Sequence, residues 1–290
     1  MSAELVVVNG AAGLLGRHVV AALIAAGHAV RGVDLPGRGA DHAADLCDPA
    51  QAMAALAGAG TIIHAAAIPR PAGTARDLLF QTNIGATFTM LEAAEAQGCN
   101  RIILASSFSV LGLPFAPHPV VLRNFPVTED HPTAPQDLYA VSKWLSEEMV
   151  DAWTRRTGGS AISLRMPWLQ SAETFSPQVT TRRDSPDARL DLWAYLDLRD
   201  AGEAVVRSVE ALTEKRITGH DRMFLSAADT YSDTPTADLM AAFYPDVPIT
   251  SPLPGHRSLL SGAKAAERIG FRPRVSWRDY ALPAEGAVSL

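Results

Sequence analysis

Short apolar runs alternate with longer amphipathic stretches along the first 165 residues. The apolar runs predict β-strands over 5–8, 29–33, 61–66, 101–106 and 161–165. The Ala- and Leu-rich stretches between them predict helices over 14–26, 51–57, 74–97 and 138–157. Strands that alternate with helices favour a parallel sheet covered on both faces, and right-handed crossovers then give a doubly wound α/β fold.

The pattern changes after residue 112. Six prolines between 113 and 135 exclude a regular helix there and predict a long loop. After this loop, the stretch over 170–187 is polar and the stretch over 190–198 is strand-like. The pattern then predicts a helix over 201–212 and shorter elements over 223–227, 236–244 and 262–269. We expect one domain over 1–165, and a mixed segment over 166–290 that completes the sheet and forms a small lobe.

Composition and charge exclude several classes of protein. With 290 residues, 48% hydrophobic and 19% charged, the chain can bury a large core and is not disordered. A net charge of -6 argues against nucleic-acid binding. No apolar stretch is long enough to predict a membrane span, and Met1 to Glu4 carry no basic residue typical of a leader peptide. Cys47 and Cys99 are too few for a disulfide scaffold, so we expect a cytoplasmic protein.

A glycine-rich turn follows the first predicted strand. Gly10, Gly13 and Gly16 are spaced G-x-x-G-x-x-G, and each has a physical use: a tight turn, close approach of a pyrophosphate, and close packing of helix on strand. The glycines alone are also compatible with an ordinary tight turn. Asp34 ends the second predicted strand, where a carboxylate binds an adenosine ribose and repels a 2′-phosphate, which favours NAD over NADP. The nearby Arg38 weakens that preference.

A tyrosine and a lysine share one face of the helix predicted over 138–157. Tyr139 and Lys143 are four residues apart, so their side chains lie one turn apart. A nearby ammonium favours the phenolate, which could take the proton of an alcohol. Ser106 and Ser107 end a predicted strand at the carboxyl edge of the sheet, where ligands bind, although serines also end strands for local reasons.

Together these motifs resemble the short-chain dehydrogenase/reductase superfamily, in particular its extended branch, the NAD-dependent epimerase/dehydratase group. The resemblance covers essentially the whole chain and is strongest up to Arg165. It is carried by the glycine turn, Asp34, Asp45-Leu46, His64-Ala65-Ala66-Ala67, the segment 106–112, the segment 129–139, Tyr139-x-x-x-Lys143, and Gly270-Phe271-Arg272-Pro273.

The resemblance implies a role for each matching residue. Tyr139 would be the acid/base, Lys143 would lower its pKa and hold the nicotinamide ribose, and Ser107 would orient the substrate oxygen. Asn83 would complete the catalytic set close to the cofactor. A dinucleotide-binding Rossmann domain would hold NAD through Gly10, Ala12, Gly13, Leu14, Leu15, Gly16, Asp34, Asp45, Leu46, Ala65, Ala66, Ala67, Asn83, Tyr139, Lys143 and Pro167. His64 is taken as part of the cofactor loop, and no metal site is expected.

The reaction is narrowed by departures from the group's patterns. No asparagine follows Arg165, where sugar-nucleotide epimerases hold a diphosphate, and the dehydratase Thr-Asp-Glu is replaced by Ser107-Phe108-Ser109. The layout resembles uronate and aldose dehydrogenases. We therefore expect NAD-dependent oxidation of a secondary alcohol or lactol of a small sugar, sugar acid or related substrate. Candidate substrate contacts are Ser107, Ser109, Trp168, Gln170 and Arg182.

Two other functions remain open from the sequence. One is a sugar-nucleotide epimerase or dehydratase that uses bound NAD transiently, and the other is a non-catalytic NAD(P) sensor. Phe108 and Leu111 also leave a ketone or steroid-like substrate open, because they make the site apolar. The expected partner is a small-molecule substrate, without nucleic acid or membrane, and the Ala- and Leu-rich helices around Asn83 and Tyr139 permit a homodimer.

Overall fold

The computed structural model describes residues 4–183 and 185–280. The expectation that there is no leader peptide rests on residues 1–4, and residues 1–3 lie outside the described residues. The described strands are β1 (Leu5–Asn9), β2 (Ala29–Asp34), β3 (His42–Ala43), β4 (Thr61–His64), β5 (Arg101–Ser107), β6 (Ser160–Met166), β7 (Trp168–Gln170), β8 (Tyr195–Asp197) and β9 (Gly219–Phe224). The described helices are α1 (Leu14–Ala25), α2 (Pro49–Ala55), α3 (Arg76–Ala96), α4 (Leu138–Thr157), α5 (Ala172–Arg183), α6 (Leu198–Thr213), α7 (Thr236–Phe243) and α8 (Ala263–Arg268).

Seven of the described strands form one parallel sheet in the order β3-β2-β1-β4-β5-β6-β9. The chain reverses its direction of travel across the sheet at β1, so β1 and β4 flank a topological switch point. Asn9 at the end of β1 lies opposite both Val33 of β2 and His64 of β4. This order confirms the predicted doubly wound α/β fold, in which ligands bind outside the carboxyl ends of the strands.

Alternating side chains of the central strands are buried on both faces of the sheet. Val6 and Val8 of β1 pack with residues of α1 and α6, whereas Val7 packs with residues of α2, α3 and α4 on the other face. Each fully buried valine of this kind contributes roughly 1.5–3 kcal/mol relative to an exposed one. The apolar runs read from the sequence are therefore the two-sided core of a parallel sheet.

A separate apolar cluster forms a lobe beside the carboxyl edge of the sheet. β7 and β8 make a two-stranded parallel sheet within it. The proline-rich loop joins this lobe, because Phe125 and Val127 donate backbone hydrogen bonds to Pro248 and Leu259. As predicted, the described loop between the short 3-10 helix Phe108–Leu111 and α4 contains no helix.

The structure differs from the sequence pattern at three places in the second half of the chain. The polar stretch over 170–187 contains α5, which forms because Phe175 and Val179, one turn apart, are both buried in the lobe. The strand-like stretch over 190–198 contributes only β8, because Leu192 and Trp193 have positive φ angles of 57° and 48°. The strand that closes the sheet, β9, ends before most of the residues predicted over 223–227.

The described residues contain no helix long and apolar enough to cross a membrane. Within the same ranges, no group of three or more His, Cys, Asp or Glu residues could hold a metal ion.

Candidate active site

The glycine turn joins β1 to α1 at the switch point. Gly10 has a φ of +78°, and a Cβ there would lie 2.6 Å from the backbone nitrogen of Ala66. A Cβ on Gly16 would overlap the carbonyl oxygen of Gly10. Gly13 is the N-cap residue of α1, and a Cβ added there meets only that same oxygen, at 3.2 Å. The protein therefore requires Gly10 and Gly16 for its own packing, whereas at Gly13 a single carbonyl oxygen is close and the space beyond it is open.

This open space suits a phosphate group. Gly13 has no side chain to cap α1, so the N–H groups of Leu14 and Leu15 in the first turn have no side-chain cap. The positive end of the helix dipole points into the same space. The turn thus has both the room and the donors that a dinucleotide pyrophosphate requires.

Asp34 is fixed next to this turn. Its side chain is 10% exposed, and its two oxygens accept hydrogen bonds from the backbone N–H groups of Ala12 (2.9 Å) and Leu35 (2.8 Å). Arg38 Nε lies 3.7 Å from the carboxylate. The carboxylate therefore orients the glycine turn as well as placing a negative charge at the end of β2.

The other residues expected to bind the cofactor follow the carboxyl ends of neighbouring strands. Asp45 is half-buried and accepts a hydrogen bond from the N–H of Cys47 (2.9 Å), whereas Leu46 packs into the core. Ala65, Ala66 and Ala67 are half-buried directly after β4. Pro167 is buried between β6 and β7.

Helix α4 carries Tyr139 and Lys143 to the end of β5. The helix begins where the Asp137 carboxylate accepts a hydrogen bond from the N–H of Ala140 (3.0 Å), and it ends at Gly158 with a φ of 72°. Both side chains are buried, and Lys143 Nζ donates to the carbonyl oxygen of Ala105 (2.8 Å). Nζ lies 5.9 Å from the centre of the Tyr139 ring.

Ser107 completes this group from β5. Its hydroxyl oxygen accepts a hydrogen bond from the N–H of Ser109 (3.1 Å), and the hydroxyl also interacts with the Tyr139 phenol. The structure therefore brings the tyrosine and lysine of α4 together with the serine that ends β5.

Burial dominates the ionisation of the pair. It raises the pKa of Tyr139 to about 12, although the Ser107 hydroxyl partly offsets this, and the charge of Asp137 raises it further. Burial lowers the pKa of Lys143 to about 8, and the charge of Glu147 acts against that shift. The expected depression of the tyrosine pKa is absent in this structure, because the loss of water around the phenol outweighs the influence of its neighbours.

Asn83 acts on the backbone around the site. Its amide oxygen accepts the N–H of Ile68 (2.8 Å), and its amide nitrogen donates to the carbonyl of Ile68 (3.2 Å) and to the Ser142 hydroxyl (3.1 Å). These contacts tie the loop after β4 to α4. The neighbouring His64 is buried with a hydrogen bond to Thr87, and burial lowers its pKa to about 3, so it is neutral.

The predicted substrate contacts differ in what they offer. Ser109 and Gln170 are fully buried, and the Ser109 hydroxyl and the Gln170 amide nitrogen have no hydrogen-bond partner among the described residues. Trp168 is half-buried and packs edge-on against Tyr231. Arg182 donates to Asp191 (2.9 Å), so its charge is already paired within the protein.

Two features of the site were missed from the sequence. Phe115 lies edge-on against Tyr139, with ring centres 6.2 Å apart, and remains 42% exposed. Nothing in the local pattern marks it, because the fold of the proline-rich loop sets where its ring lies. Glu147 is buried one turn beyond Lys143 and binds Arg165. Its spacing from Lys143 was a signal that could have found it.

Comparison with known proteins finds a family whose sequence model matches this chain and several similar proteins. The sequence model of the NAD dependent epimerase/dehydratase family matches residues 6–185. L-arabinose 1-dehydrogenase (NAD(P)(+)) of Haloferax volcanii is 30% identical over 240 residues, which are 78% of this chain and 92% of that protein. Uronate dehydrogenase of Pseudomonas syringae pv. tomato is 28% identical over 230 residues, covering 76% of this chain and 78% of that protein.

Solved structures share the fold over nearly the whole chain. A short-chain dehydrogenase/reductase superfamily protein from Agrobacterium tumefaciens with bound NAD is similar with a TM-score of 0.69, 25% identity and 94% of each chain covered. UDP-glucose-4-epimerase from Stenotrophomonas maltophila gives a TM-score of 0.71 at 19% identity, over 96% of this chain and 95% of that one, a likeness of fold alone.

Proposed function

Because the chain belongs to the NAD-dependent epimerase/dehydratase family, we propose that it oxidises a secondary alcohol or lactol of a small free sugar or sugar acid with NAD. Membership follows from the family match over residues 6–185 and confirms the resemblance drawn from the sequence motifs. The protein is thus an enzyme of a nicotinamide-dependent family, and the finer reaction is our proposal.

The observation that carries the proposal is the convergence of Ser107, Tyr139 and Lys143 at the carboxyl edge of the sheet. A phenol and an ammonium are both buried here, one turn apart, next to a strand-end hydroxyl. Burying two titratable groups lowers stability unless hydrogen bonds or opposite charges replace the lost water, and perturbed pKa values of this kind cluster at functional sites.

These side chains would move one proton during alcohol oxidation. The Tyr139 phenolate would take the proton from the substrate hydroxyl, and the Ser107 hydroxyl would hold the substrate oxygen in line with it. The Lys143 ammonium would stabilise the phenolate by its charge while its bond to Ala105 fixes its position. NAD, when bound, supplies the carbon that accepts the hydride.

The residues around the glycine turn fit that cofactor. Gly13 leaves open space before an uncapped helix, and Asp34 places a carboxylate at the end of β2. We propose that the dinucleotide is held by Gly10, Ala12, Gly13, Leu14, Leu15, Gly16, Asp34, Asp45, Leu46, Ala65, Ala66, Ala67, Asn83, Tyr139, Lys143 and Pro167. The charge of Asp34 favours NAD over NADP.

Two observations favour a small free sugar as substrate. The relatives that match most of this chain include an L-arabinose dehydrogenase and a uronate dehydrogenase, both at modest identity. In addition, the buried Ser109 hydroxyl and Gln170 amide have unused hydrogen-bonding capacity, which suits the hydroxyl groups of a sugar. Trp168 would supply an apolar wall.

Three coarser expectations from the sequence also stay proposals. They are a cytoplasmic location, a division near residue 165 between the dinucleotide-binding domain and a substrate-binding lobe, and a homodimer. Exposed apolar side chains on α3, Leu78 and Phe88, are compatible with a dimer interface.

The role of Tyr139 tests the proposed chemistry. Tyr139→Phe removes one hydroxyl and keeps the ring that packs against Phe115, so the protein should still bind NAD in calorimetry, weakened at most by the loss of one hydroxyl contact. Turnover should fall by about 10²–10⁴-fold, the usual contribution of a general acid/base. Tyr244→Phe is the matched control, because that hydroxyl binds the carbonyl of Arg189 in the lobe and its loss should leave turnover unchanged. Substantial activity in Tyr139→Phe would rule out the assigned role.

A further inference from the structure

Glu147 is a fully buried carboxylate in the middle of α4. Its oxygens accept hydrogen bonds from Arg165 Nε (3.0 Å) and Nη2 (2.7 Å), from Arg222 Nε (3.2 Å), and from the Ser106 hydroxyl (2.5 Å). A buried charge is retained only when it is paired and hydrogen-bonded, and here the pairing is bidentate. The carboxylate therefore joins the catalytic helix to the neighbouring strands β5, β6 and β9.

The network does more than hold elements together. Ser106 directly precedes Ser107, so the bond from its hydroxyl to Glu147 fixes the end of β5 from which Ser107 projects. Lys143 is one helical turn before Glu147, and its Nζ bonds the carbonyl of Ala105 on the same strand. Both the position of the serine and the charge near the lysine thus depend on one carboxylate.

We propose that Glu147 is a positioning residue that keeps the Lys143 ammonium charged and holds the serine end of β5 against the catalytic helix. This inference rests on the proposed catalytic roles of Tyr139 and Lys143. Burial alone lowers the pKa of Lys143, and the negative charge of Glu147 opposes that shift. Without the carboxylate, a larger share of Lys143 would be neutral at the working pH and could not stabilise a phenolate.

Other charges surround Lys143 and Glu147, and they determine how strongly the carboxylate changes the pKa of the lysine. Arg165 is 4% exposed and Arg222 is 25% exposed, so the two cations offset part of the field of Glu147. Other titratable groups around them include Tyr139, Glu148 and Asp151 on α4, Glu129 in the preceding loop, His64 on β4, and His220 on β9. His64 is neutral at working pH, so the carboxylate and the two guanidinium groups dominate.

The pKa of Lys143 can be measured without any turnover. The chain has three lysines, so protein labelled with ¹³C at lysine Cε gives three NMR signals, which Lys215→Arg and Lys264→Arg assign. In Glu147→Gln, the Lys143 signal should titrate about one pH unit lower than in the wild type, because an opposing charge is lost. Arg222→Gln should move it the opposite way, which keeps the inference testable if Glu147→Gln does not fold.

Glu148→Gln is the matched control for charge. It removes the same charge from the next residue of the helix, which also binds Arg222, but its side chain is 49% exposed and screened by water. The Lys143 titration should therefore stay unchanged in Glu148→Gln. If Lys143 titrates at the same pH in the wild type, in Glu147→Gln and in Arg222→Gln, the inference is wrong.

Kinetics separate an electrostatic role from a merely structural one. In Glu147→Gln, kcat/KM should overlap the wild type at low pH, level off about one pH unit earlier and reach a plateau about tenfold lower. A purely structural defect would lower kcat/KM by the same factor at every pH. An absence of NAD reduction by the wild type would count against the proposed function, and the lysine titration would still decide this inference.

Discussion

Tyr139 and Lys143 are both buried on one face of α4, with Nζ 5.9 Å from the centre of the ring, and we propose that the reaction depends on the protonation of both groups together. The pKa of the lysine is about 8 and that of the phenol about 12, so the first proton lost comes mainly from the ammonium. The productive form, phenolate with ammonium, carries the same number of protons as this singly deprotonated pair. Its abundance therefore rises with pH until the pair has lost one proton.

The pH dependence of oxidation follows from this titration. We expect kcat/KM of the wild type to rise about tenfold per pH unit below about pH 8 and then to level off. Initial rates across that range with saturating NAD would measure it. A profile that is flat from acid to alkaline pH would show that the pair does not control the reaction.

The charge of Asp34 should determine the choice of nicotinamide cofactor. Asp34→Asn keeps an oxygen that can accept the N–H of Ala12 but removes the charge that repels a 2′-phosphate. The ratio of kcat/KM for NAD to that for NADP should fall by roughly tenfold, as expected for one lost charge repulsion. Arg38→Gln should raise the ratio. An unchanged ratio in Asp34→Asn would make Asp34 a turn residue only.

At the scale of elements, the glycines of the turn have different roles: Gly16 is needed for packing, and Gly13 is proposed to be needed for NAD binding. Gly16 is required by the backbone itself, because a Cβ there overlaps the carbonyl of Gly10, whereas at Gly13 a single carbonyl oxygen is close and the space beyond it is open. Gly16→Ala should lower the free energy of unfolding by about 1–3 kcal/mol through overpacking. Gly13→Ala should destabilise the protein less than Gly16→Ala in urea, because its Cβ meets one carbonyl oxygen at 3.2 Å, and should bind NAD more weakly by calorimetry. Wild-type affinity in Gly13→Ala would show that the pyrophosphate lies elsewhere.

Local sequence signals predicted the described strands and α-helices of the first half of the chain except β3. The helix predicted over 138–157 has the same bounds in the structure, because its limits are set by Asp137 at one end and Gly158 at the other. Helix α5 was missed, since its segment is polar in sequence and the burial of Phe175 and Val179 depends on the lobe. What decides that segment is the lobe against which it packs, and this is not encoded locally.

At the scale of the whole molecule, the two sides of the site differ in how far the sequence predicts them. The cofactor side consists of strand ends and turns with short motifs, and a parallel sheet brings these ends to one edge. The proposed substrate side is assembled from separate segments. Phe115, Ser109 and Gln170 come from a loop, a 3-10 helix and β7, and Arg182 is paired with Asp191. Their arrangement depends on tertiary packing.

The same division explains why the reaction is harder to infer than the fold. UDP-glucose-4-epimerase superposes over nearly the whole chain at 19% identity, so the scaffold alone does not separate oxidation from epimerisation. The two reactions differ in whether the reduced cofactor is released. The product therefore distinguishes them.

The most direct measurement of the central claim is NAD reduction by the purified protein, followed by absorbance, with free aldoses, free uronates, small hydroxy acids and UDP-sugars offered separately. We predict that NADH accumulates in proportion to a free sugar or sugar acid and that Tyr139→Phe abolishes the signal. UDP-sugar that is isomerised without any accumulation of NADH, and no reduction with the free sugars, would contradict the account and establish an epimerase.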